Sequence, residues 1–386
     1  MGGHCLCVSQ AGRRQTVAGH DCNRDLPRAS TPTDMPDISS PPRYSFLDDY
    51  SEGAHPQVLS ALGATNTSQE AGYGADRYSA EARLHLRRHL GHQDAHIFFV
   101  PSGTAANAIS IAACLRPHEA VIAASSGHIV TRETGAVEAS GHKIITVSPC
   151  NGKLTVEGID KALAENWHFP HMARPRLVYV SNATEVGTVY SKAELEAIRR
   201  LCRERGLLLF MDGARLGAAL TSSTADLMTL PDILDLTDIF WIGGTKNGAL
   251  LGEAIVVKDA KLAQDFDFYI KQHGALLAKS RVMGIAFAEL FRENLFYELA
   301  SGANRSAAKL SRAIVGAGYA LRAATETNQV FACLPVALVE RLQREFAFYV
   351  WERGGGPRCC EAVDELGHRG GQLDRFNEIV LGWGVG

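Results

Sequence analysis

A lysine flanked by glycines has the surroundings in this sequence that best suit covalent chemistry. Lys246 follows the apolar run 239–242 and lies within Gly243-Gly-Thr-Lys-Asn-Gly248. The run predicts a buried strand that ends in a close-fitting turn, where glycines let a bulky partner approach the backbone. An ammonium that loses its water there has a lowered pKa and becomes a nucleophile towards an aldehyde. Taken alone, such a lysine is more commonly a solvated residue after a strand.

A carboxylate follows a second apolar run. Asp212 comes directly after residues 207–211 and begins the segment Asp212-Gly-Ala-Arg215. A carboxylate at a buried strand end needs a cationic partner or strong hydrogen bonds. Two interpretations stay open: Asp212 pairs structurally with Arg215, or it keeps a pyridine nitrogen protonated, which makes the ring an electron sink.

Small residues and hydroxyls follow a third apolar run, 97–100. Ser102, Gly103 and Thr104 come at the start of the next predicted helix. The first turn of a helix exposes unbonded backbone N–H groups, and the helix dipole favours an anion there. A phosphate fits this position, although an ordinary serine or threonine helix cap explains the same residues.

One histidine and two acidic residues follow other strands of the same series. His128 precedes a predicted helix whose first turn holds Glu133, and Glu185 lies in the turn 181–187. An imidazole in this place can stack on a planar ring and move protons near neutral pH. The alternative is a histidine that only packs or caps the helix.

These residues are carried by short apolar runs that alternate with helical patterns from His96 onward. The alternation predicts an α/β fold with a mostly parallel sheet covered by helices on both faces. In such sheets, sites lie beyond the carboxyl ends of the strands, where the residues above follow their runs. The predicted strands are 97–100, 120–123, 143–147, 176–180, 207–211, 238–242 and 254–257, and the predicted helices between them are 104–115, 131–139, 155–165 and 191–204.

The length of 386 residues favours two folded domains. Residues 1–43 are rich in Pro, Ser, Arg, Asp and Gly, and we expect them to be disordered. We expect a large domain with an N-terminal arm over 44–290. A smaller α+β C-terminal domain follows over 291–386, after a long helical stretch that runs from 262 to about 301.

Composition excludes several function classes. Lys and Arg total 39 against 42 Asp and Glu, and the net charge of −3 comes from interspersed residues. No basic stripe therefore predicts nucleic-acid binding, and no apolar run is long enough to span a bilayer. Nine cysteines without a C-x-x-C pair favour a reduced cytoplasmic protein, and we expect no metal site.

Together these motifs resemble the threonine aldolase/β-eliminating lyase family of pyridoxal phosphate enzymes. The resemblance covers about residues 44–346 and is stronger to the threonine aldolase branch than to the tyrosine phenol-lyase and tryptophanase branch. It implies the fold type I architecture of pyridoxal phosphate-dependent transferases. The motifs that carry it are Pro101-Ser-Gly-Thr104, His128 with Glu133, Asp212-Gly-Ala-Arg215 and Gly243-Gly-Thr-Lys-Asn-Gly248.

The resemblance implies a role for each motif in binding the cofactor, pyridoxal 5'-phosphate. Lys246 forms the Schiff base with the cofactor, Asp212 pairs with the pyridine nitrogen, and His128 stacks on the ring and carries protons. Ser102, Gly103 and Thr104 hold the phosphate with help from Thr245, and Arg215 lies by the cofactor and the substrate carboxylate. In the family, the arginine at the position of Arg281 reaches the phosphate of the partner subunit, which implies a homodimer or homotetramer.

The implied reaction cleaves a β-hydroxy-α-amino acid to glycine and an aldehyde. Threonine, allo-threonine and phenylserine are all candidate substrates, with Arg215, Glu133 and Glu185 as candidate substrate-binding residues. Two alternatives stay open: β-elimination from an amino acid, and cofactor binding without turnover.

The alternative without turnover comes from an anomalous segment, 354–371. The family has a strand there that carries an arginine for the substrate carboxylate, whereas this segment has neither a strand nor a helix pattern. We hypothesise two compensating frameshifts in this part of the gene, which resequencing would test.

Overall fold

A computed structural model describes residues 43–224, 228–350, 358–363 and 370–383. The segment 1–42, on which most of the predicted disorder falls, lies outside the described residues. Within the described ranges, no helix combines the length and the apolarity that crossing a bilayer requires.

A seven-stranded sheet is the central element of the fold. Its strand order is β2-β8-β7-β6-β5-β3-β4. Strand β8 runs antiparallel to both of its neighbours, and the remaining pairs are parallel. After the short arm strand β1 (Tyr44–Ser45), the strands of this sheet are β2 (His96–Val100), β3 (Glu119–Ala124), β4 (Lys143–Val147), β5 (Arg174–Ser181), β6 (Leu208–Asp212), β7 (Ile239–Gly243) and β8 (Glu253–Val257).

All seven predicted strands are confirmed to within two residues at each end. Every residue of β3, β7 and β8 is buried, as expected for strands covered on both faces. The apolar runs in the sequence therefore identified the strands of this sheet.

Helices pack on both faces of this sheet in two separate apolar clusters. One cluster joins Leu86, Ile198 and Phe287 to the sheet, and the other joins Ile109 and Phe266 to it. The helices are α1 (Pro56–Thr65), α2 (Arg77–Leu90), α3 (Gly103–Cys114), α4 (His128–Thr131), α5 (Ala136–Ala139), α6 (Val156–Glu165), α7 (Lys192–Arg205), α8 (Leu216–Leu220), α9 (Leu230–Leu236), α10 (Ala260–Ala263), α11 (Phe266–Gln272), α12 (Arg281–Arg292) and α13 (Leu295–Gly316).

Two helix predictions were too continuous. The predicted helix 131–139 is divided into α4 and α5, because Thr134 and Gly135 between them have φ of 52° and 74°. The helical stretch 262–301 is divided into α10 to α13, with a turn at Gly274, whose φ is 71°.

A second, four-stranded antiparallel sheet follows α13, in the order β12-β13-β10-β9. Its apolar face packs against α13 and the last helix in a third cluster that includes Leu310, Val330 and Phe376. Strand β1 of the arm pairs in parallel with β11. The elements are β9 (Ala320–Leu321), β10 (Gln329–Leu334), α14 (Val336–Leu342), β11 (Phe346–Ala347), β12 (Tyr349–Val350), β13 (Arg358–Val363) and α15 (Gly370–Trp383).

Strand β13 corrects the expectation of no strand in the segment 354–371. Residues 358–363 pair along their whole length with β10. This pairing stabilises a strand that the local sequence pattern did not predict. The rest of the anomalous segment, 354–357 and 364–369, lies outside the described residues. The domain boundary near residue 290 stays a prediction.

Candidate active site

Lys246 lies just beyond the carboxyl end of β7, in the turn that leads to β8. The turn is tightly packed: a Cβ on Gly244 would lie 2.6 Å from the carbonyl oxygen of Gly252, and Gly248 has φ of 92°. Only glycine fits both positions without displacement of the backbone. The local sequence therefore fixes where the amine of Lys246 is presented.

The surroundings of Lys246 favour its neutral form. Its side chain is half-buried, with Nζ 5.8 Å from the ring centroid of Tyr50. Burial and the neighbouring Arg215 lower the pKa of the Lys246 ammonium, against the opposing charges of Asp49 and Asp212. A larger fraction of the amine is then unprotonated, which is the form that attacks an aldehyde.

Arg215 lies beside Lys246 in the same cavity and is bound by a carboxylate of the N-terminal arm. Its Nε donates to Oδ2 of Asp49 at 2.6 Å and its Nη2 to Oδ1 at 3.0 Å. Burial alone would raise the pKa of Asp49, but Arg215 and Lys246 outweigh it and hold that pKa below its ordinary value. The bidentate partner of Arg215 is thus Asp49, which does not support the interpretation that Asp212 pairs with Arg215.

Asp212 ends β6 and is bound by neutral donors. Its Oδ2 accepts from Asn107 Nδ2 at 2.9 Å and from the Tyr179 hydroxyl at 2.6 Å, and its Oδ1 accepts from the backbone N of Ala214 at 2.9 Å. Burial and Asp212 raise the pKa of Tyr179 well above its usual range, so the hydroxyl stays a donor. A carboxylate accepts about four hydrogen bonds, so a position remains for one more donor.

Asn107 is the residue of this network that sequence reasoning missed. Its Nδ2 also donates to Glu133 Oε1 at 2.7 Å, and its Oδ1 accepts from Trp241 Nε1 at 2.9 Å. One buried amide thus connects two carboxylates that come from different strand ends. The available signal was a single amide within the otherwise small and apolar run Ala105–Ile109 of α3.

His128 is the first residue of α4 and is oriented by two carboxylates. Its Nδ1 lies 2.7 Å from Oε1 of Glu133, whose side chain is fully buried, and its backbone N donates to Glu185 Oε1 at 2.9 Å. Because Glu133 Oε1 is the acceptor, Nδ1 carries the hydrogen, and Nε2 of the neutral ring is the basic nitrogen. The imidazole is 41 % exposed, so a ligand can reach it.

The two acidic residues differ in what they offer a ligand. Glu185 accepts from the Ser181 hydroxyl at 2.7 Å as well as from His128, and burial raises its pKa. The second oxygen of Glu133, Oε2, is buried and has no hydrogen-bond partner among the described residues. Glu133 therefore has an acceptor position left at the site.

The start of α3 has the form of an anion cradle. Ser102 caps the helix through a bond from Ala105 N to its Oγ at 3.3 Å. A Cβ on Gly103 would lie 2.9 Å from the ring of Trp241, so this turn is pressed against the residue that also binds Asn107. The first N–H groups of a helix, here those of Gly103 and Thr104, have no acceptor within the helix, as at helix starts that bind phosphate.

Thr245 and Arg281 make their contacts within the chain. Thr245 Oγ1 accepts from Gly252 N at 3.0 Å and donates to Glu253. Arg281 donates to the carbonyl oxygens of Thr65 and, at 2.8 Å, Ser68. Their predicted roles at the phosphate stay predictions.

The site residues fit pyridoxal phosphate. The cofactor's aldehyde matches the Lys246 amine of lowered pKa. Its ring nitrogen matches the carboxylate of Asp212, which has one acceptor position left, and its phosphate matches the helix start at Gly103. No group of three or more His, Cys, Asp or Glu residues that could hold a metal occurs in the described ranges.

Comparisons with known proteins identify the family of this chain. The sequence pattern of the beta-eliminating lyase family matches residues 47–336. The chain is 36 % identical over 346 residues to a protein named low specificity L-threonine aldolase from Pseudomonas aeruginosa, covering 87 % of this chain and 98 % of that protein. A second protein of that name, from another Pseudomonas species, is 35 % identical over 81 % of this chain and 91 % of its own.

A solved structure described as threonine aldolase from Leishmania major has the same fold. It superimposes with a TM-score of 0.87 at 42 % identity and covers 89 % of this chain and 100 % of its own. These matches confirm the family resemblance and the fold type that the motifs predicted.

Proposed function

The chain belongs to the beta-eliminating lyase family, and from that premise we propose that it is a pyridoxal phosphate-dependent aldolase. Its reaction is the cleavage of threonine, allo-threonine or a related β-hydroxy-α-amino acid such as phenylserine to glycine and an aldehyde. The proteins similar to it that are named threonine aldolases support this substrate class.

The single observation that carries the proposal is the placement of Lys246. Its amine has a lowered pKa, lies in a cavity with Arg215, and is influenced by the charge of Asp212. A nucleophilic amine, a cation for the substrate carboxylate and an acid for a ring nitrogen are thus grouped at one sheet edge. These are the groups that such a lyase needs.

When bound, the cofactor supplies an aldehyde for the substrate amine and a conjugated ring that withdraws electrons from Cα. Lys246 would provide the amine that holds the cofactor through its aldehyde, because the pKa of its ammonium is lowered. Asp212 would hold the protonated ring nitrogen through the acceptor position that its three donors leave. The neutral donors around Asp212 keep its charge available for that proton.

His128 is the proposed proton carrier for the β-hydroxyl group. Loss of the hydroxyl proton must accompany breakage of the Cα–Cβ bond, and a neutral imidazole is a suitable acceptor near pH 7. Glu133 holds Nδ1–H and so directs the basic Nε2 to the reaction. The alternative base for this proton is a water held by Glu133.

We also propose where this protein acts and how it assembles. We place it in the cytoplasm, in amino acid metabolism, where its reaction would degrade threonine and form glycine. We also infer a homodimer or homotetramer in which Arg281 helps to complete a neighbouring site. The reduced-cysteine composition supports the location, and the family resemblance supports the assembly.

Product analysis tests the proposed reaction. The protein loaded with pyridoxal phosphate is incubated with L-threonine, and acetaldehyde, glycine, 2-oxobutanoate and ammonia are measured. We expect acetaldehyde and glycine in equal amounts. 2-Oxobutanoate and ammonia would instead show β-elimination, and no product from any β-hydroxy amino acid would show cofactor binding without turnover.

The matched variant for this experiment is Lys246→Ala. We expect it to lose both aldehyde release and the visible absorbance of the bound cofactor, because no other described lysine lines that cavity. Full activity in this variant would contradict the proposal.

A further inference from the structure

Asp49 is a buried carboxylate that lies far in sequence from every motif of the site. It belongs to the arm between β1 and α1, 166 residues before Arg215, and is 4 % exposed. The arm is fixed at both ends: Phe46 N donates to Ala347 O at 2.7 Å, and His55 N donates to Gly248 O at 2.9 Å. Asp49 is therefore held in place by backbone contacts as well as by its own side chain.

The contact with Arg215 constrains the guanidinium more than a single hydrogen bond does. Both oxygens of Asp49 accept from Arg215, at 2.6 and 3.0 Å, and a bidentate pair fixes the plane as well as the position of the group. A guanidinium recognises a second carboxylate well only when its plane matches that carboxylate.

A third residue fixes Asp49 in turn. Asn328, directly before β10, donates from Nδ2 to Asp49 Oδ2 at 3.0 Å and is itself 4 % exposed. The arm, the end of a strand of the large sheet and the start of a strand of the C-terminal sheet are thus joined at the Asp49 carboxylate.

The negative charge of Asp49 also stabilises the two cationic side chains next to it. Arg215 and Lys246 line the same cavity and repel each other. Asp49 attracts both, so the guanidinium can stay next to the amine without an uncompensated buried positive charge.

We propose that Asp49 is a positioning residue that orients Arg215 for the carboxylate of the amino-acid substrate. This inference rests on the proposed function, because it takes Arg215 as the substrate's carboxylate partner. It assigns to the arm a part in selecting α-amino acids over plain amines.

Binding of two amines that differ only in a carboxylate tests the inference. Glycine and methylamine are titrated into the cofactor-loaded protein, and the change in cofactor absorbance gives each dissociation constant. We expect Asp49→Asn to raise the dissociation constant of glycine at least about tenfold, as loss of a charged hydrogen-bond partner predicts. The dissociation constant of methylamine should change less than about twofold. Unchanged glycine binding, or equal weakening of both amines, would overturn the inference.

Asp48→Asn is the matched control. It removes the same charge one residue earlier, where the side chain meets the hydroxyls of Tyr349, at 3.3 Å, and of Tyr50 instead of Arg215. We expect it to leave both dissociation constants within about twofold of wild type. An effect on glycine as large as that of Asp49→Asn would assign the loss to net charge and overturn the positioning role.

A milder variant covers the case in which Asp49→Asn does not fold. Asn328→Ala removes one donor to Asp49 and keeps the charge of Asp49. The dissociation constant of glycine should therefore rise a few-fold, and that of methylamine should stay unchanged. This binding assay does not depend on aldehyde release. If the protein bound glycine selectively but released no acetaldehyde from threonine, the proposed function would be wrong, whereas the role of Asp49 would still be supported.

Discussion

Two buried aspartates at the site are stabilised in opposite ways. Among the described residues, Asp212, 3 % exposed, accepts only from an amide, a phenol and a backbone N–H. Asp49, 4 % exposed, accepts from a guanidinium and an amide. One carboxylate is therefore buried with hydrogen bonds but without a cation in contact, and the other is already neutralised.

The difference shows which carboxylate is available to a ligand. A buried charge that lacks a cation is costly, and the donors around Asp212 lower that cost without neutralising it. Such a group gains from a cationic ligand nitrogen. Asp49 has its cation already and acts by holding Arg215 in place.

The largest expected effect is that of Asp212→Asn. An amide in this position presents N–H groups and no charge, so the ring nitrogen loses its proton-holding partner. We expect kcat/KM for aldehyde release to fall by roughly 100- to 1000-fold with saturating cofactor. Tyr179→Phe removes one neutral donor and keeps the charge, so its kcat/KM should fall far less. Equal losses of kcat/KM in the two variants would contradict the claim that the charge of Asp212 matters more than its hydrogen bonds.

A third buried carboxylate, Glu253, extends the comparison. It accepts from Gly244 N at 2.9 Å and from the Thr245 hydroxyl, and burial raises its pKa to about 7. Between its ordinary pKa of 4.5 and about 7, the folded state keeps the proton that the unfolded state has lost. Stability from this group is therefore full at low pH and declines as pH rises to 7.

Glu253→Gln tests that linkage. Between pH 4.5 and 8 the free energy of unfolding of the wild type should fall by about 3 kcal/mol more than that of the variant, measured by urea denaturation at each pH. Parallel pH profiles for the two proteins would show that Glu253 is ionised in the fold, as Asp49 is.

A smaller effect is expected from Asn107→Leu, which removes the amide that joins Asp212 to Glu133. The indole N–H of Trp241 and both carboxylates each lose a partner, so the free energy of unfolding should drop by about 2 kcal/mol.

Ser110→Ala on the same helix is the control for Asn107→Leu, because the buried Ser110 hydroxyl has no hydrogen-bond partner among the described residues. We expect its stability to stay within about 0.5 kcal/mol of wild type. Equal effects of the two variants would show that the helix tolerates loss of the amide.

The strand ends at the site could be predicted from sequence because each apolar run there is followed by a distinct motif. Lys246, Asp212 and His128 follow such runs, and the sheet brings them to one edge. Asn107 and Tyr179 lie inside regular elements, where a polar side chain gives no local sign of its partner.

Contacts between distant segments were beyond the sequence pattern. Asp48 and Asp49 are adjacent and chemically identical, and only the path of the arm decides which of them meets Arg215. Strand β13 was missed for a similar reason, because its pairing with β10 defines it more than its own residues do.

The central claim is that Lys246 is the amine that holds the cofactor. Reduction of the cofactor-loaded protein with borohydride fixes the cofactor to its amine, and peptide mass spectrometry then locates it. The account predicts modification at Lys246 alone. A modified lysine elsewhere in the chain, or no modified peptide from a protein that has bound the cofactor, would contradict it.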